Sequence, residues 1–261
     1  MNTEKHRRLY RRIVGKALLL LFLLYCGIPL LEHPAKADSS DSVLEILVRL
    51  ESSYAKVNDY VAIFRKQERV NRTLLPEKTF FVKFQKPTKV YMKWIEKPPK
   101  ETEALYVEGG YDNKVIVHRT GIPGVETLSL DPKGLIAMRN NRHPITELGF
   151  GFLIKELRRN LEMALCNREL QIIKLSDELF EGRPATILEV KANPCAGHEY
   201  YASHMICHID KELCLPVGVS FFDEREELFE KYSFTEVKLN VGLTEKDFSR
   251  DNGEYRFLCP R

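Results

Sequence analysis

The chain has 261 residues, of which 44% are hydrophobic and 30% are charged, a composition that excludes an intrinsically disordered protein. Its 40 basic and 37 acidic residues give a formal net charge of +3. Seven of the basic and two of the acidic residues fall within residues 1–37, which leaves 33 basic and 35 acidic residues, a balance of −2. Without a basic excess, the remaining chain has no electrostatic footprint for nucleic acid.

The N-terminal segment has the pattern of an export signal. Basic residues precede an almost unbroken apolar run from Ala17 to Leu31. This run is shorter than the roughly 20 residues of a membrane-spanning helix, and Ala35 and Ala37 suit cleavage after residue 37. We therefore expect a signal peptide over 1–37, one domain over 38–261, and a periplasmic or otherwise exported protein. An uncleaved signal anchor is one alternative, and a lipoprotein anchored through Cys26, which Tyr25 disfavours, is the other.

One helix and six strands are predicted between residues 42 and 130. Ser42 and Glu45 have the spacing of a capping box and predict the start of a helix, and apolar residues follow at helical spacing to Ala55. After Asp59 the hydrophobic pattern changes to a period of two, interrupted by Pro and Gly turns. Connections this short imply an antiparallel meander. The predicted strands are 60–70, 79–86, 90–96, 103–107, 115–118 and 126–130.

A second helix and five further strands are predicted in the rest of the chain. The helix covers 152–166, where Leu153, Leu157 and Leu161 form one apolar stripe. This order predicts an α+β fold in which helices lie on one face of a large antiparallel sheet. The predicted strands are 170–175, 186–190, 199–209, 215–222 and 228–237.

Three phrases of the sequence resemble a known family: FQKPTKVYMKW at 84–94, RHPIT at 142–146 and NVGLTEKDF at 240–248. Over residues 42–257 the chain resembles exported bacterial proteins that share a domain of unknown function. Those proteins are in turn similar to the LolA-like periplasmic lipoprotein carriers. The resemblance implies an open antiparallel β-barrel of about eleven strands, with helices covering its concave face and an apolar cavity for acyl chains. The similar anti-sigma-factor regulators imply an envelope protein partner as the alternative.

One residue departs from the carrier pattern. In the carriers, the basic residue before the proline of the first phrase is typically Arg, which helps to couple closure of the helical lid to lipid release. Here that residue is Lys86. Because lysine lacks the bidentate guanidinium, the resemblance does not extend to a carrier-style latch.

A lipid cavity needs apolar side chains on the inner face of the sheet and leaves no signature motif, because each buried methylene contributes about 0.8 kcal/mol. For each apolar candidate the alternative is the ordinary core of a half-buried sheet. For Arg142 and His143 three roles are open: hydrogen bonds within the loop, contact with a ligand headgroup, and catalysis. The candidate ligand-binding residues are Phe64, Phe80, Val82, Phe84, Lys86, Val90, Met92, Trp94, Leu105, Arg142, His143, Phe152, Leu153, Leu157 and Leu161.

The cysteines suggest a disulfide. Cys207 and Cys214 flank Asp210 and Lys211 symmetrically, so they would face each other in a hairpin centred there. An exported protein meets an oxidising compartment, which favours the bond. Free thiols are one alternative. A metal site is another, although a period of two places His204 and His208 on the face opposite Cys207. The residues considered for a metal are Cys195, His198, His204, Cys207, His208 and Cys214.

The sequence carries none of the common catalytic motifs, such as a G-x-S-x-G elbow, a phosphate-binding loop or H-E-x-x-H. We therefore predict an exported protein that is not an enzyme, requires no cofactor or metal, and touches membranes transiently. Its expected partner is a lipid, a lipoprotein acyl chain or another hydrophobic ligand. The alternatives are an envelope sensor or interaction module and, with only His143 in its favour, an envelope hydrolase.

Overall fold

Strands from both halves of the chain form one sheet in the computed structural model, which describes residues 39–95, 102–119, 127–193 and 198–257. The helices are α1 (Ser39–Ala55), α2 (Leu135–Met138) and α3 (Phe150–Cys166). The strands are β1 (Asp59–Val70), β2 (Thr73–Leu74), β3 (Lys78–Gln85), β4 (Lys89–Trp94), β5 (Thr102–Val107), β6 (Val115–Arg119), β7 (Thr127–Leu130), β8 (Leu170–Phe180), β9 (Arg183–Ala192), β10 (His204–Asp210), β11 (Pro216–Phe222) and β12 (Leu228–Leu239).

The predicted elements agree with most of these bounds, and the sequence prediction lacks the short elements β2 and α2. It is also wrong at one end of β8 and of β10. Strand β8 continues past Leu175 to Phe180 through mostly exposed positions, where no apolar alternation marks it. Strand β10 begins only at His204, because the residues from 198 to 202 do not pair with β9 or β11.

The sheet is antiparallel and open. Its strands lie in the order β7-β6-β5-β4-β3-β1-β12-β11-β10-β9-β8, with β2 paired to β1 alone. Within the described residues, β7 and β8 form the two edges and do not pair with each other. This topology confirms the predicted α+β class and the open antiparallel barrel with covering helices. The first and last strands, β1 and β12, meet at its centre.

Helices α1 and α3 pack on the face called here the inner face. Leu47 and Leu50 of α1 and Leu157 and Leu161 of α3 are almost fully buried in one core with Tyr60 of β1. The apolar residues of α3 recur every three to four positions, so one side of the helix meets the sheet. Each such side chain contributes about 1.5–3 kcal/mol by leaving water.

A second core lies on the outer face of β4, β5 and β6. The segment after β12 returns across this face and buries Phe248 and Phe257 beside Leu105. Tyr255 stacks on Tyr91 of β4, with ring centroids 3.9 Å apart and planes inclined by 10°. This part of the sheet is therefore covered on both sides, which bears on the identification of ligand-binding residues.

The predicted disulfide between Cys207 and Cys214 is wrong, because both residues are free thiols. The hairpin is centred later in the chain than predicted: Ile209 pairs with Pro216, and Cys207 lies opposite Val219. Cys214 belongs to the turn and has a positive φ of 51°. Burial raises the pKa of the Cys207 thiol to about 12. Cys195 and Cys259 lie outside the described residues.

The remaining predictions concern export and metal binding. In the described part of the chain, none of the helices has both the length and the apolarity needed to cross a bilayer. The proposed signal peptide lies outside the described residues. Histidines 204 and 208 contact Glu189, Glu226 and Glu178. No group of three or more His, Cys, Asp or Glu in the described ranges has a metal-binding arrangement.

Candidate functional site

Residues 131–149, the crossing segment, connect β7 to α3 and pass over the inner face of the sheet. Three contacts fasten this segment to the two central strands. Asn141 Oδ1 accepts a hydrogen bond of 2.6 Å from Lys66 Nζ of β1, and the backbone N–H of Arg142 donates to Glu68 of β1. His143 Nε2 lies 3.0 Å from Glu230 of β12. The crossing segment thus forms a roof over strands β1 and β3 to β7.

A cavity of about 750 Å³ lies between this roof and the sheet. Ligand pockets typically enclose about 300–1,000 Å³. The floor comes from the inner face of β1, β3–β7 and β12, and α3 adds Phe152 and Leu153. Exposed residues Ile136, Arg139 and Asn140 mark its opening to solvent. The apolar lining residues are Phe64, Phe80, Met92, Trp94, Ala104, Val115, Val117, Leu128, Leu130, Pro132, Ile136, Ala137, Pro144, Ile145, Leu148, Phe152, Leu153 and Phe234.

An aromatic row forms part of the floor. Phe234, Phe64, Phe80 and Trp94 are direct neighbours on β12, β1, β3 and β4. Successive ring centroids lie 4.7, 6.3 and 5.9 Å apart. The indole N–H of Trp94 is buried and has no hydrogen-bond acceptor among the described residues, whereas buried donors are usually satisfied. The row therefore offers a broad apolar surface with one available donor.

The structure divides the predicted ligand-binding residues into two groups. Those that line the cavity are Phe64, Phe80, Met92, Trp94, His143, Phe152 and Leu153. Val82, Phe84, Val90, Leu157 and Leu161 are instead buried in the core beneath α1 and α3, as the alternative interpretation expects. Lys86, Leu105 and Arg142 also lie outside the cavity lining, each for a separate reason.

The prediction for Leu105 is wrong about the face of the sheet. Met92 lies opposite Ala104, whereas Leu105 lies opposite Tyr91. Leu105 therefore points into the outer-face core, and Ala104 lines the cavity. Sequence pattern alone favours the larger side chain as the inner one. That choice fails here because both faces of β5 are covered, so hydrophobicity does not distinguish them.

Lys86 fastens α1 to the sheet. Its Nζ donates to the carbonyl of Tyr54, in the last turn of α1, at 2.7 Å, and lies 4.1 Å from the centre of the Tyr54 ring. A cation is favourable at this end of a helix because the carbonyl groups there have no helical partners. Burial lowers the pKa of Lys86. The residue thus has a structural role rather than a place in the cavity.

Arg142 and His143 belong to a buried polar cluster around Glu230, whose side chain is 0% exposed. Glu230 accepts hydrogen bonds from Arg142 Nε at 2.5 Å and from the Tyr201 hydroxyl at 2.6 Å, in addition to its contact with His143. Burial raises the pKa of Glu230, but these three partners outweigh it and the net shift is downward. A buried carboxylate is tolerated only when it is paired in this way.

His143 is held by carboxylates on both ring nitrogens. Nδ1 lies 2.9 Å from Glu147 Oε2, and Nε2 contacts Glu230 and, at 2.9 Å, the Tyr201 hydroxyl. Burial lowers the pKa of His143, but the two carboxylates outweigh it and the net pKa is raised above 6.5. Because side chains of the protein engage both ring nitrogens, this geometry favours the loop-holding role among the three that the sequence left open.

Glu68 is a second buried carboxylate beside the cavity. It accepts hydrogen bonds from the Tyr232 hydroxyl at 2.8 Å, from Lys66 Nζ at 3.1 Å and from the backbone of Arg142. Glu68 and Glu230 are direct neighbours on β1 and β12. The strand pattern could have identified both as buried carboxylates, because each occupies an inward-facing position of its strand, where an apolar residue is expected.

Several lining residues were not identified from the sequence. They come from β5–β7, from the crossing segment, and from further inward positions of β1, β3 and β12. Those on strands share an inward phase, whereas those of the crossing segment reach the cavity only through the path of that segment over the sheet. They are Lys66, Glu68, Lys78, Thr102, Ala104, Val115, Val117, Leu128, Leu130, Pro132, Ile136, Ala137, Arg139, Asn140, Asn141, Pro144, Ile145, Glu147, Leu148, Gly149, Tyr232 and Phe234.

The fold is similar to solved structures of bacterial proteins at low sequence identity. The MucA/MucB complex of Pseudomonas aeruginosa matches at 15% identity and a TM-score of 0.43, over 80% of this chain and 60% of that one. The lipoprotein LppX of Mycobacterium tuberculosis matches at 10% identity and 0.45, over 78% and 98%. The LolA superfamily protein NE2245 of Nitrosomonas europaea matches at 10% identity and 0.33, over 80% and 98%. The chain thus spans less than two thirds of the MucB chain.

Comparison at the sequence level gives one family. No curated protein matches the chain. The model of the family described as "Protein of unknown function (DUF1571)" matches residues 57–257, a range that contains strands β1 to β12. This match covers well over half of the chain and confirms the expected relationship to a family defined by a domain of unknown function. The chain therefore belongs to the DUF1571 family.

Proposed function

We propose that this protein binds an amphiphilic, largely apolar ligand, such as a lipid or a lipoprotein acyl chain, in the cavity beneath the crossing segment. The observation that carries the proposal is the apolar lining of a cavity of about 750 Å³ at the inner face of an open sheet. We further propose that the protein is exported, on the pattern of residues 1–37, and that it acts as a carrier or binding protein rather than as an enzyme.

Burial of an acyl chain supplies enough free energy for such a role. At about 0.8 kcal/mol per methylene, a chain of about 16 carbons gains on the order of 12 kcal/mol of gross transfer free energy. Association costs at least about 4 kcal/mol in lost translational and rotational freedom. The apolar contact can therefore dominate the affinity, and the residues in contact need not form a polar motif.

The polar groups at the cavity favour a ligand that also carries a hydrogen-bond acceptor. The Trp94 indole N–H is a donor available to such a ligand, since it lacks an acceptor among the described residues. Lys78 Nζ lies 5.5 Å from the centre of the Trp94 ring, and Lys66 and Arg139 also line the cavity. A carboxylate, ester or phosphate oxygen would satisfy the indole donor and lie close to positive charge.

The single tryptophan of the chain provides the experiment, because Trp94 lies in the cavity floor. We expect titration with palmitate to change Trp94 emission in a saturable way. Ala104→Phe should weaken this binding, because the added ring occupies the cavity. Ser129→Phe is the matched control: Ser129 is exposed and lies opposite Ile116, on the outer phase of the same half of the sheet. Its titration should equal that of the wild type.

Two results would contradict the proposal. One is the absence of a saturable change in Trp94 emission, together with native mass spectra in which the protein retains no palmitate. The other is an equal loss of binding in Ala104→Phe and Ser129→Phe, which would show that the site of the effect is not the cavity.

The edge strand β8 favours a second candidate function, the binding of a protein partner by strand addition. β8 is eleven residues long and forms one edge of the described sheet. It exposes Ile173, Leu175 and Leu179, and long apolar edges promote pairing with another chain. Leu179→Lys should then abolish a stoichiometric complex in native mass spectra of the protein from its own source, with the palmitate titration unchanged. Persistence of that complex in the variant would contradict this candidate.

A further inference from the structure

The short helix α2 presents an exposed apolar tip at the opening of the cavity. Leu135 is 91% exposed, more than any other large apolar side chain of the described residues, and Ile136 is 70% exposed. Ile136 also belongs to the cavity lining. The exposed apolar surface is therefore continuous with the cavity interior rather than being an isolated surface position.

The tip is held in place by polar contacts at its base. The Asp131 carboxylate accepts a hydrogen bond from the backbone of Lys133 at 2.9 Å, which fixes the turn before α2. Asn141 Nδ2 donates to the carbonyl of Ala137 at 2.7 Å, and its Oδ1 accepts from Lys66 of β1. These contacts tie α2 to the sheet while Leu135 projects into solvent. Exposure of this apolar side chain to water is unfavourable in free energy, and contact with an apolar partner surface would remove that cost.

Charge indicates the nature of that surface. The exposed residues Lys133 and Arg139 flank the apolar pair, whereas the nearby Asp131 uses one carboxylate oxygen for the backbone of its own turn. Apolar side chains flanked by basic residues are the combination that binds the interface of a bilayer with anionic lipids. We propose that α2 docks on an anionic phospholipid membrane and brings the cavity opening against the bilayer. This proposal rests on the proposed function, since it names the source from which the ligand enters.

Depth-dependent quenching tests this contact at a single site. Leu135→Trp is made in a Trp94→Phe background of the full chain, so that the new side chain is the only indole. Vesicles contain phosphatidylcholine and about one quarter phosphatidylglycerol, with bromine on the acyl chains. We expect emission to fall by about half or more, because a docked apolar side chain reaches about 5–10 Å into the boundary of headgroups and acyl chains.

The matched control is Leu179→Trp in the same background, since Leu179 is 71% exposed and lies on β8 instead of α2. Because both variants keep residues 1–38, any tethering by the N-terminal apolar run affects them alike. Much weaker quenching in the control supports the docked tip, and equal quenching overturns it. Addition of Lys133→Gln, or the use of phosphatidylcholine alone, should reduce quenching in the α2 variant. If neither change reduces the quenching, the preference for anionic lipid is overturned.

The two proposals fail in different ways. If palmitate leaves Trp94 emission of the wild-type chain unchanged, the cavity function fails whatever the vesicles show. If the palmitate titration succeeds but the α2 and β8 variants are quenched equally, only the docking of α2 fails.

Discussion

At the level of single residues, the polar cluster around Glu230 explains why the roof of the cavity stays in place. Arg142 and His143 are adjacent in the crossing segment, whereas Tyr201 precedes β10, and all three contact one carboxylate of β12. Removal of one partner leaves a buried charge without full compensation. Polar contacts therefore contribute strongly to holding the crossing segment, whereas α1 and α3 are held mainly by apolar burial, to which Lys86 adds one polar contact at the end of α1.

His143 gives this cluster a predictable dependence on pH. Its pKa is raised in the folded state, so its contribution to stability is complete below its unfolded value of about 6.5 and is lost as pH rises through the folded pKa. The pKa of Glu230 is lowered, so its contribution is complete above about 4.5 and is lost as pH falls through the folded value. We expect His143→Gln to lower the free energy of unfolding by about 1 kcal/mol more near pH 5.5 than near pH 9.

Urea denaturation at the two pH values measures this difference. His208→Gln is the control. His208 stacks on Phe180, and burial lowers its pKa, so the pH dependence of its contribution to stability has the opposite sign to that of His143. The protonation-linked contribution of His208 is complete above about pH 6.5 and is lost as pH falls. A deficit of His143→Gln that stays constant with pH, or that grows towards pH 9, would contradict the assigned role.

At the level of elements, the start of α3 depends on one glycine. Gly149 has a φ of 112°, a value that side chains with a Cβ rarely adopt, and an added Cβ would lie 2.5 Å from the Tyr60 hydroxyl. Tyr60 is fully buried and stacks on Phe84 with centroids 5.0 Å apart, so it has no room to move. The crossing segment therefore passes into the helix at a position that only glycine fits.

Gly149→Ala should accordingly lower the free energy of unfolding by about 2–6 kcal/mol, since strained backbone and overpacking each cost about 1–3 kcal/mol. Urea denaturation checks this value. Gly182→Ala separates the two causes, because Gly182 also has a positive φ, of 79°, but has open space around its Cβ position. Its loss should be limited to the backbone part, and a loss equal to that of Gly149→Ala would exclude the steric contribution.

Local sequence pattern identifies the elements well and their inward faces less well. The period of two locates eleven strands and the spacing of leucines locates α3, because both follow from local geometry. It does not determine which face of β5 meets the cavity, since Ala104 and Leu105 are both apolar and both faces are covered. Nor does it find the contacts of Glu68 and Glu230, which arise only when β1 and β12 pair.

At the level of the whole molecule, the sheet separates stability from binding. Its inner face supports the helices on one side and the cavity on the other, and its outer face at β4–β6 is sealed by the segment after β12. Leu105→Ala should therefore lower the free energy of unfolding by about 2–5 kcal/mol while leaving palmitate binding at Trp94 unchanged. Combined urea and emission titrations measure both quantities. Weakened palmitate binding in a folded variant would show that the two faces are coupled.

The central pairing of β1 with β12 also determines when the fold can be completed. Strands β3–β7 and β8–β11 each form from neighbours that follow one another along the chain. Within the described sheet, the two halves join through the last strand, whose Phe234 meets Phe64 across 170 positions of sequence. Contacts between such distant residues form late, because a long loop must close first. In a chain still being synthesised, one side of β1 therefore stays unpaired until the last strand emerges. The complete sheet can form only near the end of synthesis.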